Sequence, residues 1–303
     1  MNEPNVAYEP PVSEPARPLE LAKSKANTLV EALPYIRTYR GQTVVVKVGG
    51  AALDDARLCS LLAEDLALLA MVGLRLVVVH GGGPQVSEAM SRSGIEPRFV
   101  EGLRVTDDAA MDIVRRVLIG SINSDLVARL SNAGLVAVGL SGTDGGLLTV
   151  ERVTGSRGED LGRVGRVTDV RADVLETLLQ SGYTPVVATV APDASGAAHN
   201  VNADAAAGAV AGALGAAKLV YLTNVEGLYR DFGGADSLVS EIKLADLADM
   251  LEGLSEGMRP KAASAVAALE AGVGKAHILD GRVEHALLIE VFTDEGIGTQ
   301  VLP

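Results

Sequence analysis

The sequence of 303 residues has one cysteine, no tryptophan, three phenylalanines and six tyrosines. The lone cysteine, Cys59, excludes an intrachain disulfide framework and a cysteine-based zinc site. Because large aromatic side chains are scarce, the core must be built from alanine, valine, leucine and isoleucine. There are four histidines, and the sequence offers no Ser-His-Asp or Cys-His pattern that would indicate a nucleophilic centre.

Positive charge is also scarce, because 26 lysines and arginines face 39 aspartates and glutamates and the net charge is −13. Contacts to a nucleic-acid backbone need clustered basic residues, so we expect no nucleic-acid partner. The longest apolar runs, such as Leu76 to Val79 and Pro185 to Ala191, are only strand-sized. The N-terminus lacks the basic start and apolar core of a secretory signal. We therefore expect no membrane partner and a cytoplasmic protein.

Strand-like and helix-like segments alternate along the chain, which is typical of a parallel sheet with crossover helices. The first strand is predicted at Thr43–Val48 and the second at Leu74–His80. The length fits two domains of about 150 residues or one large α/β unit, with a soft boundary between Val190 and Asn200. Residues 1–18 hold five prolines and few apolar residues, which predicts a disordered tail.

Three predicted strands end in glycine-rich turns, at Gly49-Gly50, at Gly81-Gly82-Gly83 and at residues 142–146. In open α/β sheets, ligands bind outside the carboxyl ends of the strands. Glycine permits positive φ and exposes backbone N–H groups, which favours an anion site. One such glycine can simply relieve a tight turn, but three turns at one sheet edge favour the anion site. Neither a P-loop nor a G-x-G-x-x-G motif is present, so a nucleotide site would belong to another architecture.

Three charged residues are candidates for that site. Lys47 interrupts an apolar strand, and burying an unpaired ammonium group is costly, so it either meets an anion or lies on the surface of an edge strand. Asp204 stands at the start of a predicted helix, after Asn202. A purely structural role is open for both residues, in which Asn202 caps the helix and Asp204 complements its dipole. Lys261 also stands at a helix start and would alone be an ordinary solvated lysine.

Six motifs, in order along the chain, resemble the amino acid kinase family. They are Lys47-Val-Gly-Gly50, His80-Gly-Gly-Gly-Pro84, Glu101-Gly-Leu-Arg-Val-Thr106, Asn200-Val-Asn-Ala-Asp204, Gly257-Met-Arg-Pro-Lys261 and Phe292-Thr-Asp-Glu-Gly-Ile-Gly-Thr299. The third and fourth resemble the branch that acts on N-acetyl-L-glutamate. The resemblance implies an α/β fold, a three-layer αβα sandwich with a mainly parallel central sheet. It also implies ATP-dependent phosphorylation of the side-chain carboxylate of N-acetyl-L-glutamate, in arginine biosynthesis.

The resemblance also implies roles for individual residues. Lys47 and Lys261 would stabilise the transferring phosphoryl group, Asp204 would orient them, and Gly50 would supply a backbone donor. An N-terminal lobe, residues 41–195, would bind acetylglutamate, and a C-terminal lobe, residues 196–303, would bind ATP and hold the arginine site. The substrate-binding residues would be Gly82, Gly83, Arg104 and Asn200. The nucleotide-binding residues would be Lys47, Gly49, Gly50, Thr223, Val225, Gly227, Leu228, Tyr229, Met258 and Lys261.

The implied chemistry needs no general base, because a carboxylate with a reference pKa of about 4.3 is already ionised at neutral pH. Positioning and charge stabilisation remain, and lysines, backbone N–H groups and Mg²⁺ carried by ATP would supply them. No dedicated metal site is expected. Two positions depart from the family pattern: Thr143 stands where a glycine loop often has lysine, and Arg259 stands where isoleucine is usual.

Residues 19–40 are predicted to form a helix, with Leu29, Leu33 and Ile36 at spacings of three and four and with a kink or break at Pro34. The segment resembles the added helix of arginine-sensitive members of the family, in which it interlaces dimers into a hexameric ring. Its apolar stripe could instead pack on its own subunit. The resemblance implies a homo-oligomer, a hexamer built as a trimer of dimers. L-Arginine would inhibit at a site formed by His277, Glu290 and Gly296.

Two other functions remain open at this point. One is a neighbouring amino acid kinase that acts on carrier-protein-bound aminoadipate, although Arg104 favours a free small substrate with its own carboxylate. The other is a non-catalytic arginine-sensing subunit, which the presence of Lys47, Asp204 and Lys261 argues against.

Overall fold

A computed structural model describes residues 18–230, 237–255, 257–293 and 296–303. Its strands are β1 (Thr43–Val48), β2 (Arg75–His80), β3 (Phe99–Val100), β4 (Leu103–Arg104), β5 (Ala137–Ser141), β6 (Leu148–Thr154), β7 (Asp160–Val170), β8 (Thr184–Ala188), β9 (Val190–Pro192), β10 (Ala198–Val201), β11 (Lys218–Thr223), β12 (Leu228–Tyr229), β13 (Leu238–Val239), β14 (Glu241–Lys243), β15 (Lys275–Asp280) and β16 (Thr299–Leu302). The predicted tail lies outside the described residues, apart from Pro18.

The helices are α1 (Pro18–Glu31), α2 (Leu33–Tyr39), α3 (Ala51–Asp54), α4 (Ala56–Met71), α5 (Gly83–Arg92), α6 (Asp108–Arg115), α7 (Ser124–Asn132), α8 (Asp173–Gln180), α9 (Ala203–Ala213), α10 (Leu244–Met250), α11 (Arg259–Glu270) and α12 (Ala286–Phe292). A π-helical segment, Arg116–Asn123, joins α6 to α7. Short 3-10 turns lie at Asp144–Gly146 and Leu251–Gly253. None of the helices described is long and apolar enough to cross a membrane.

The central sheet has eight strands in the order β14-β16-β15-β11-β1-β2-β8-β5. Its neighbouring strands run parallel except β15 and β16, which are antiparallel. The predicted mainly parallel sheet is confirmed. Because β1 lies in the middle, between β11 and β2, the alternative that Lys47 sits on the surface of an edge strand is wrong.

Helices cover both faces of this sheet. Along β1 the side chains of Val44, Val46 and Val48 pack with α4, α7 and α12, whereas Val45 packs on the opposite face with α8, α9 and α11. All six residues of the strand are buried, as expected of a parallel strand covered on both sides. The predicted three-layer αβα sandwich is therefore confirmed.

A second, four-stranded sheet in the order β6-β7-β10-β9 lies against β4 of the small antiparallel hairpin β3–β4. Its strands β6 and β7 form an antiparallel ribbon between residues 148 and 170. Short β10 and the β12–β13 pair were not predicted, because strands of two to four residues carry too little alternation to identify.

The boundaries of two helices have local causes. The predicted break of the N-terminal helix is confirmed at Ala32, where α1 ends and α2 begins with Pro34 in its first turn. Helix α12 begins at Ala286 and runs to Phe292. His285 adopts a left-handed backbone, with φ of 58°, so the helix cannot begin before it.

The small residues of α9 allow it to approach α11 closely. A Cβ at Gly212 would lie 2.8 Å from Ala271 Cβ, and one at Gly208 would press on Ser264. Ser264 Oγ lies 2.6 Å from Tyr221 Oη and donates to the carbonyl of Asp204 at 2.6 Å. The packing of these two helices therefore fixes the first turn of α9.

We expect Gly208→Ala to lower the free energy of unfolding by about 1–3 kcal/mol, because the new methyl group overpacks the helix contact. Gly120→Ala is the matched control, since a Cβ there meets nothing within 4 Å. It should be neutral or stabilising by up to about 1 kcal/mol. Urea denaturation measures both; equal unfolding midpoints would contradict the close approach.

Candidate active site

Two of the predicted glycine turns meet at the carboxyl edge of the sheet, because β1 and β2 are neighbours. Gly50 has φ of 57°, and a Cβ there would collide with the side chain of Asn224. A Cβ at Gly49 would lie 2.7 Å from Lys47 Nζ, so glycine leaves room for that ammonium group. At Gly82 the constraint is steric rather than conformational, since a Cβ would collide with Ile122.

The third glycine turn corrects the prediction of three turns around one anion site. Residues 142–146 line neither of the two clefts described below. Strand β5 ends the sheet, two positions away from β2. A Cβ at Gly142 would lie 2.8 Å from the carbonyl oxygen of Val190, so this glycine serves close packing. Thr143 is exposed in this turn.

Lys47, Asp204 and Lys261 come together at this edge. Lys47 Nζ lies 2.9 Å from Asp204 Oδ1, and Lys261 Nζ lies 3.3 Å from Asp204 Oδ2. The Asp204 side chain is only 7% exposed. Burial alone would raise its pKa, but the charges of the two lysines outweigh burial and lower it. The carboxylate therefore stays ionised and holds both ammonium groups in place.

The local sequence explains how Asp204 is presented. Asn202 caps α9 through its side chain, which accepts hydrogen bonds from the N–H groups of Asp204 and Ala205 at 2.9 and 3.0 Å. The predicted cap thus exists, and Asp204 does more than complement the helix dipole. Lys261, in the first turn of α11, also donates to the carbonyl of Gly257 at 3.1 Å.

A cleft of about 700 Å³ opens on one side of these three residues. It is lined by all ten residues predicted to bind the nucleotide: Lys47, Gly49, Gly50, Thr223, Val225, Gly227, Leu228, Tyr229, Met258 and Lys261. Asn224, Arg230 and Ser255 also line its wall, although none of them was singled out as a nucleotide-binding residue. These polar residues follow strand ends or lie in turns, with no spacing that would have distinguished them from other loop residues.

Arg259, the departure from the family pattern, braces this cleft. Its guanidinium group donates to the carbonyls of Glu252 and Leu254 at 3.1 and 3.3 Å. Those carbonyls belong to the turn that carries the wall residues Gly253 and Leu254. An isoleucine could not make these bonds, so the arginine adds two hydrogen bonds to the turn that isoleucine would lack.

A second cleft, of about 300 Å³, opens on the other side and shares Lys47, Gly49 and Gly50 with the first. It is lined by all four residues predicted to bind the substrate: Gly82, Gly83, Arg104 and Asn200. Phe99 and Thr189 line it as well and were not predicted. Phe99 lies in the β3–β4 hairpin, and Thr189 lies between two strands, so only the folded chain brings them here.

Arg104 is held in a fixed orientation by the residues around it. Its Nη2 donates to the carbonyl of Gly83 and to Ser87 Oγ, both at 2.8 Å. The guanidinium carbon lies 4.6 Å from the centre of the Phe99 ring, within cation–π distance. Asn200 is fixed too, because its Nδ2 donates to Thr106 Oγ1 at 3.2 Å.

The residues predicted for the arginine site lie elsewhere, beside the N-terminal helix. A cavity of about 360 Å³ is lined by Glu290 and Gly296, and by Tyr35 and Tyr39 of α2. His277 lies behind Glu290 rather than in the wall, with its Nδ1 2.6 Å from Glu290 Oε1. Lys218, which was not predicted, is buried in the wall and lies 4.5 Å from the centre of the Tyr39 ring.

Glu290 is ionised in this cavity. Burial alone would raise the pKa of its carboxyl group, but His277, the N–H of Ile297 and the charge of Lys218 together lower it. Burial also lowers the pKa of the His277 imidazole. The cavity therefore presents a carboxylate that is suited to a guanidinium or ammonium group.

Comparison with known proteins agrees with this geometry. Residues 42–280 match the amino acid kinase family. An acetylglutamate kinase of Acidothermus cellulolyticus is 48% identical over 95% of this chain and 100% of its own length. One from Synechocystis sp. is 48% identical over 93% of this chain and 95% of its own.

The solved structure of N-acetylglutamate synthase from Neisseria gonorrhoeae, complexed with coenzyme A and L-arginine, has a TM-score of 0.77 and 30% identity. The match covers 91% of this chain and 65% of the synthase, so this chain spans less than two thirds of that protein. With a family match that begins just before β1 and ends with β15, and relatives of 48% identity over nearly its full length, the chain belongs to the amino acid kinase family.

Proposed function

We propose that this protein transfers the γ-phosphoryl group of ATP to the side-chain carboxylate of N-acetyl-L-glutamate, forming N-acetyl-L-glutamyl 5-phosphate. The observation that carries the proposal is the position of Lys47, which lines both clefts and contacts Asp204 between them. A donor nucleotide in the larger cleft and an acceptor in the smaller one would meet at its ammonium group. The acetylglutamate kinases that are 48% identical support this choice of acceptor.

Electrostatics and positioning account for the chemistry. The acceptor carboxylate is already ionised at neutral pH, so it attacks the phosphorus atom without a general base. Negative charge spreads over the phosphoryl oxygens in the transition state. Lys47 and Lys261 offset that charge, and the backbone N–H groups of the two glycine turns add preorganised donors. Asp204 keeps the lysines in place, and the products are ADP and the acyl phosphate.

The acceptor's own carboxylate and amide fit the smaller cleft. Arg104 offers a planar guanidinium group with several N–H donors, a geometry suited to a free α-carboxylate. Asn200 offers an amide to the acetylated nitrogen or its carbonyl.

Mg²⁺ would accompany ATP. Both oxygens of Asp204 contact lysines, so this carboxylate is not available as a metal ligand. We therefore assign Mg²⁺ to the ATP phosphates, where it would offset negative charge.

A biosynthetic reaction that uses ATP is consistent with a cytoplasmic location, and we include that location in the proposal.

We also propose that L-arginine inhibits the enzyme by binding the cavity between α2 and Glu290. The ionised Glu290 would pair with the guanidinium or ammonium group of arginine, and Tyr35 and Tyr39 would bring the helix into contact with it. The N-acetylglutamate synthase that resembles this chain has been solved with L-arginine, which supports the choice of effector.

The exposed face of α1 supports a homo-oligomer, which we propose to be a hexamer built as a trimer of dimers. Leu29 is 72% exposed and Val30 is 63% exposed in the single chain. Such a row of exposed apolar side chains on one helix indicates a protein contact. A second subunit would cover this row of side chains.

The acceptor is tested by coupled ADP release with N-acetyl-L-glutamate, L-glutamate, L-aspartate and carbamate. We expect turnover with N-acetyl-L-glutamate and at least about 100-fold lower kcat/KM with L-glutamate, because the unacetylated ammonium group leaves the amide-binding groups unpaired. Turnover of carbamate or of L-glutamate at a similar kcat/KM would reject the proposal.

Lys47→Ala should lower kcat by about 100- to 1,000-fold with a much smaller change in KM, because the ammonium group acts mainly on the transition state. Lys243→Ala is the matched control, since Lys243 is exposed and lines neither cleft. Steady-state kinetics with both substrates measure the effect. A raised KM at normal kcat would assign Lys47 to ground-state binding instead.

Deleting residues 1–31 removes α1 but keeps α2 with Tyr35 and Tyr39. We expect the truncated protein to form smaller assemblies and to require more arginine for half-inhibition, while its turnover without arginine is unchanged. Light scattering and an arginine titration measure the two effects. Unchanged assembly size together with unchanged arginine sensitivity would show that α1 packs only on its own subunit.

A further inference from the structure

His80 lies beneath the glycine turn of the substrate cleft and has no role in the reaction described so far. It is the last residue of β2, is fully buried, and directly precedes Gly81. Its Nδ1 lies 2.9 Å from the carbonyl oxygen of Gly81. A carbonyl oxygen only accepts hydrogen bonds, so Nδ1 must carry the proton. This contact determines which tautomer of the imidazole is present.

Asn123 completes the arrangement from the other side. Its Nδ2 lies 3.0 Å from His80 Nε2 and donates to the carbonyl of Val186 at 2.9 Å. Because the amide nitrogen is a donor, His80 Nε2 must be the unprotonated acceptor. Burial lowers the pKa of His80 to about 4, so the imidazole remains neutral at working pH. A fully buried, neutral imidazole with both nitrogens engaged cannot act as a general base.

The π-helical segment puts Asn123 in reach of His80. It runs from Arg116 to Asn123, and π-helical turns occur frequently at functional sites. The same segment packs Leu118 and Ile122 against Gly82, where a Cβ would collide with Ile122. On the far side, a Cβ at Gly139 of β5 would collide with the Asn123 amide oxygen. The glycine in β5 therefore leaves the space that the Asn123 amide occupies.

The hydrogen bond to Gly81 has a geometric consequence for its neighbour. In a planar trans peptide, the C=O of Gly81 and the N–H of Gly82 point in opposite directions. Since the carbonyl is held toward the buried His80, the Gly82 N–H points away from it. No hydrogen bond in the described part of the chain engages this N–H group, and Gly82 lines the substrate cleft.

We propose that His80 and Asn123 are positioning residues for phosphoryl transfer, which together aim the Gly82 N–H group at the reacting oxygens through the Gly81 peptide. The inference rests on the proposed function. The imidazole and the amide line neither cleft. They fix the direction of a backbone donor, and a donor fixed in advance needs no reorganisation when charge develops.

Two substitutions of His80 separate its two contacts. In His80→Asn the amide nitrogen takes the place of imidazole Nδ1 and can still donate to the Gly81 carbonyl. In His80→Gln the longer side chain reaches the place of Nε2, so it meets Asn123 and leaves the Gly81 carbonyl without its partner. Both variants remove the ring, so loss of packing is common to the pair.

We expect His80→Asn to keep kcat within about five-fold of wild type and His80→Gln to lower it at least about 100-fold, the effect of losing one preorganised oxyanion donor. KM for ATP should be unchanged in both. Urea denaturation gives the folded fraction, so that kcat is compared per folded molecule. Equal losses of kcat in the two variants, or wild-type kcat in His80→Gln, would overturn the proposal.

The tautomer is measured directly by ¹⁵N chemical shifts of histidine-labelled wild-type protein at pH 7, with His80→Asn to assign the signal. We expect the neutral form with the proton on Nδ1, and the form with the proton on Nε2 would overturn the proposal. This measurement needs no substrate. A wild-type protein that is inactive with N-acetyl-L-glutamate but shows the Nδ1–H tautomer would therefore reject the proposed function alone.

Discussion

A buried carboxylate between two ammonium groups is the interaction on which the rest of the structure depends. Asp204 stands at the start of α9, Lys47 near the end of β1, and Lys261 in the first turn of α11. Removing one partner of a buried ion pair leaves an uncompensated charge, at a cost of about 3–5 kcal/mol. The three elements must therefore be held at fixed positions relative to one another, and many small residues serve that purpose.

Several of these small residues lie around the ion pairs. Gly49 leaves room for the ammonium group of Lys47, and Gly208 lets α11 approach α9 closely enough for Ser264 to donate to the carbonyl of Asp204. The shortage of aromatic residues fits this arrangement, since helices rich in alanine and glycine can lie closer together than helices with large side chains. Close approach of the helices is thus part of how the site is built.

The mainly parallel sheet with its covering helices could be predicted because the signals for it are local. Strand β1 reads as a continuous apolar run with one lysine, and Lys47, Gly49, Gly50, Met258 and Lys261 of the larger cleft lie within motifs that are read along the chain. The cleft residues from Thr223 to Tyr229 lie in none of those motifs and were expected only from the resemblance. The antiparallel pairing of β16 with β15 was not predicted, because strand direction at a sheet edge depends on distant parts of the chain. The third glycine turn was placed wrongly for the same reason, since strand order decides which turns are neighbours.

The role of Asn123 was invisible for a different reason. A π-helical turn changes the helical periodicity by a single residue per turn, so the apolar pattern from Asp107 to Ala133 still reads as one ordinary helix. The contact of Asn123 with His80 spans 43 positions and involves two polar residues with no motif spacing between them. Arg259 was noticed as a departure, but only its bonds to the carbonyls of Glu252 and Leu254 explain it.

Because Lys47 lines both clefts, the affinities for the two ligands are coupled. Two ammonium groups and one carboxylate leave a single net positive charge at the junction. A nucleoside triphosphate and a dicarboxylate, bound in the adjoining clefts as we propose, would together bring several negative charges to it. Counter-ions that travel with the nucleotide must offset the remainder. Without these counter-ions each anionic ligand would weaken the binding of the other. The affinity for the dicarboxylate therefore depends on whether the nucleotide arrives with its counter-ions, and the reverse holds by thermodynamic linkage.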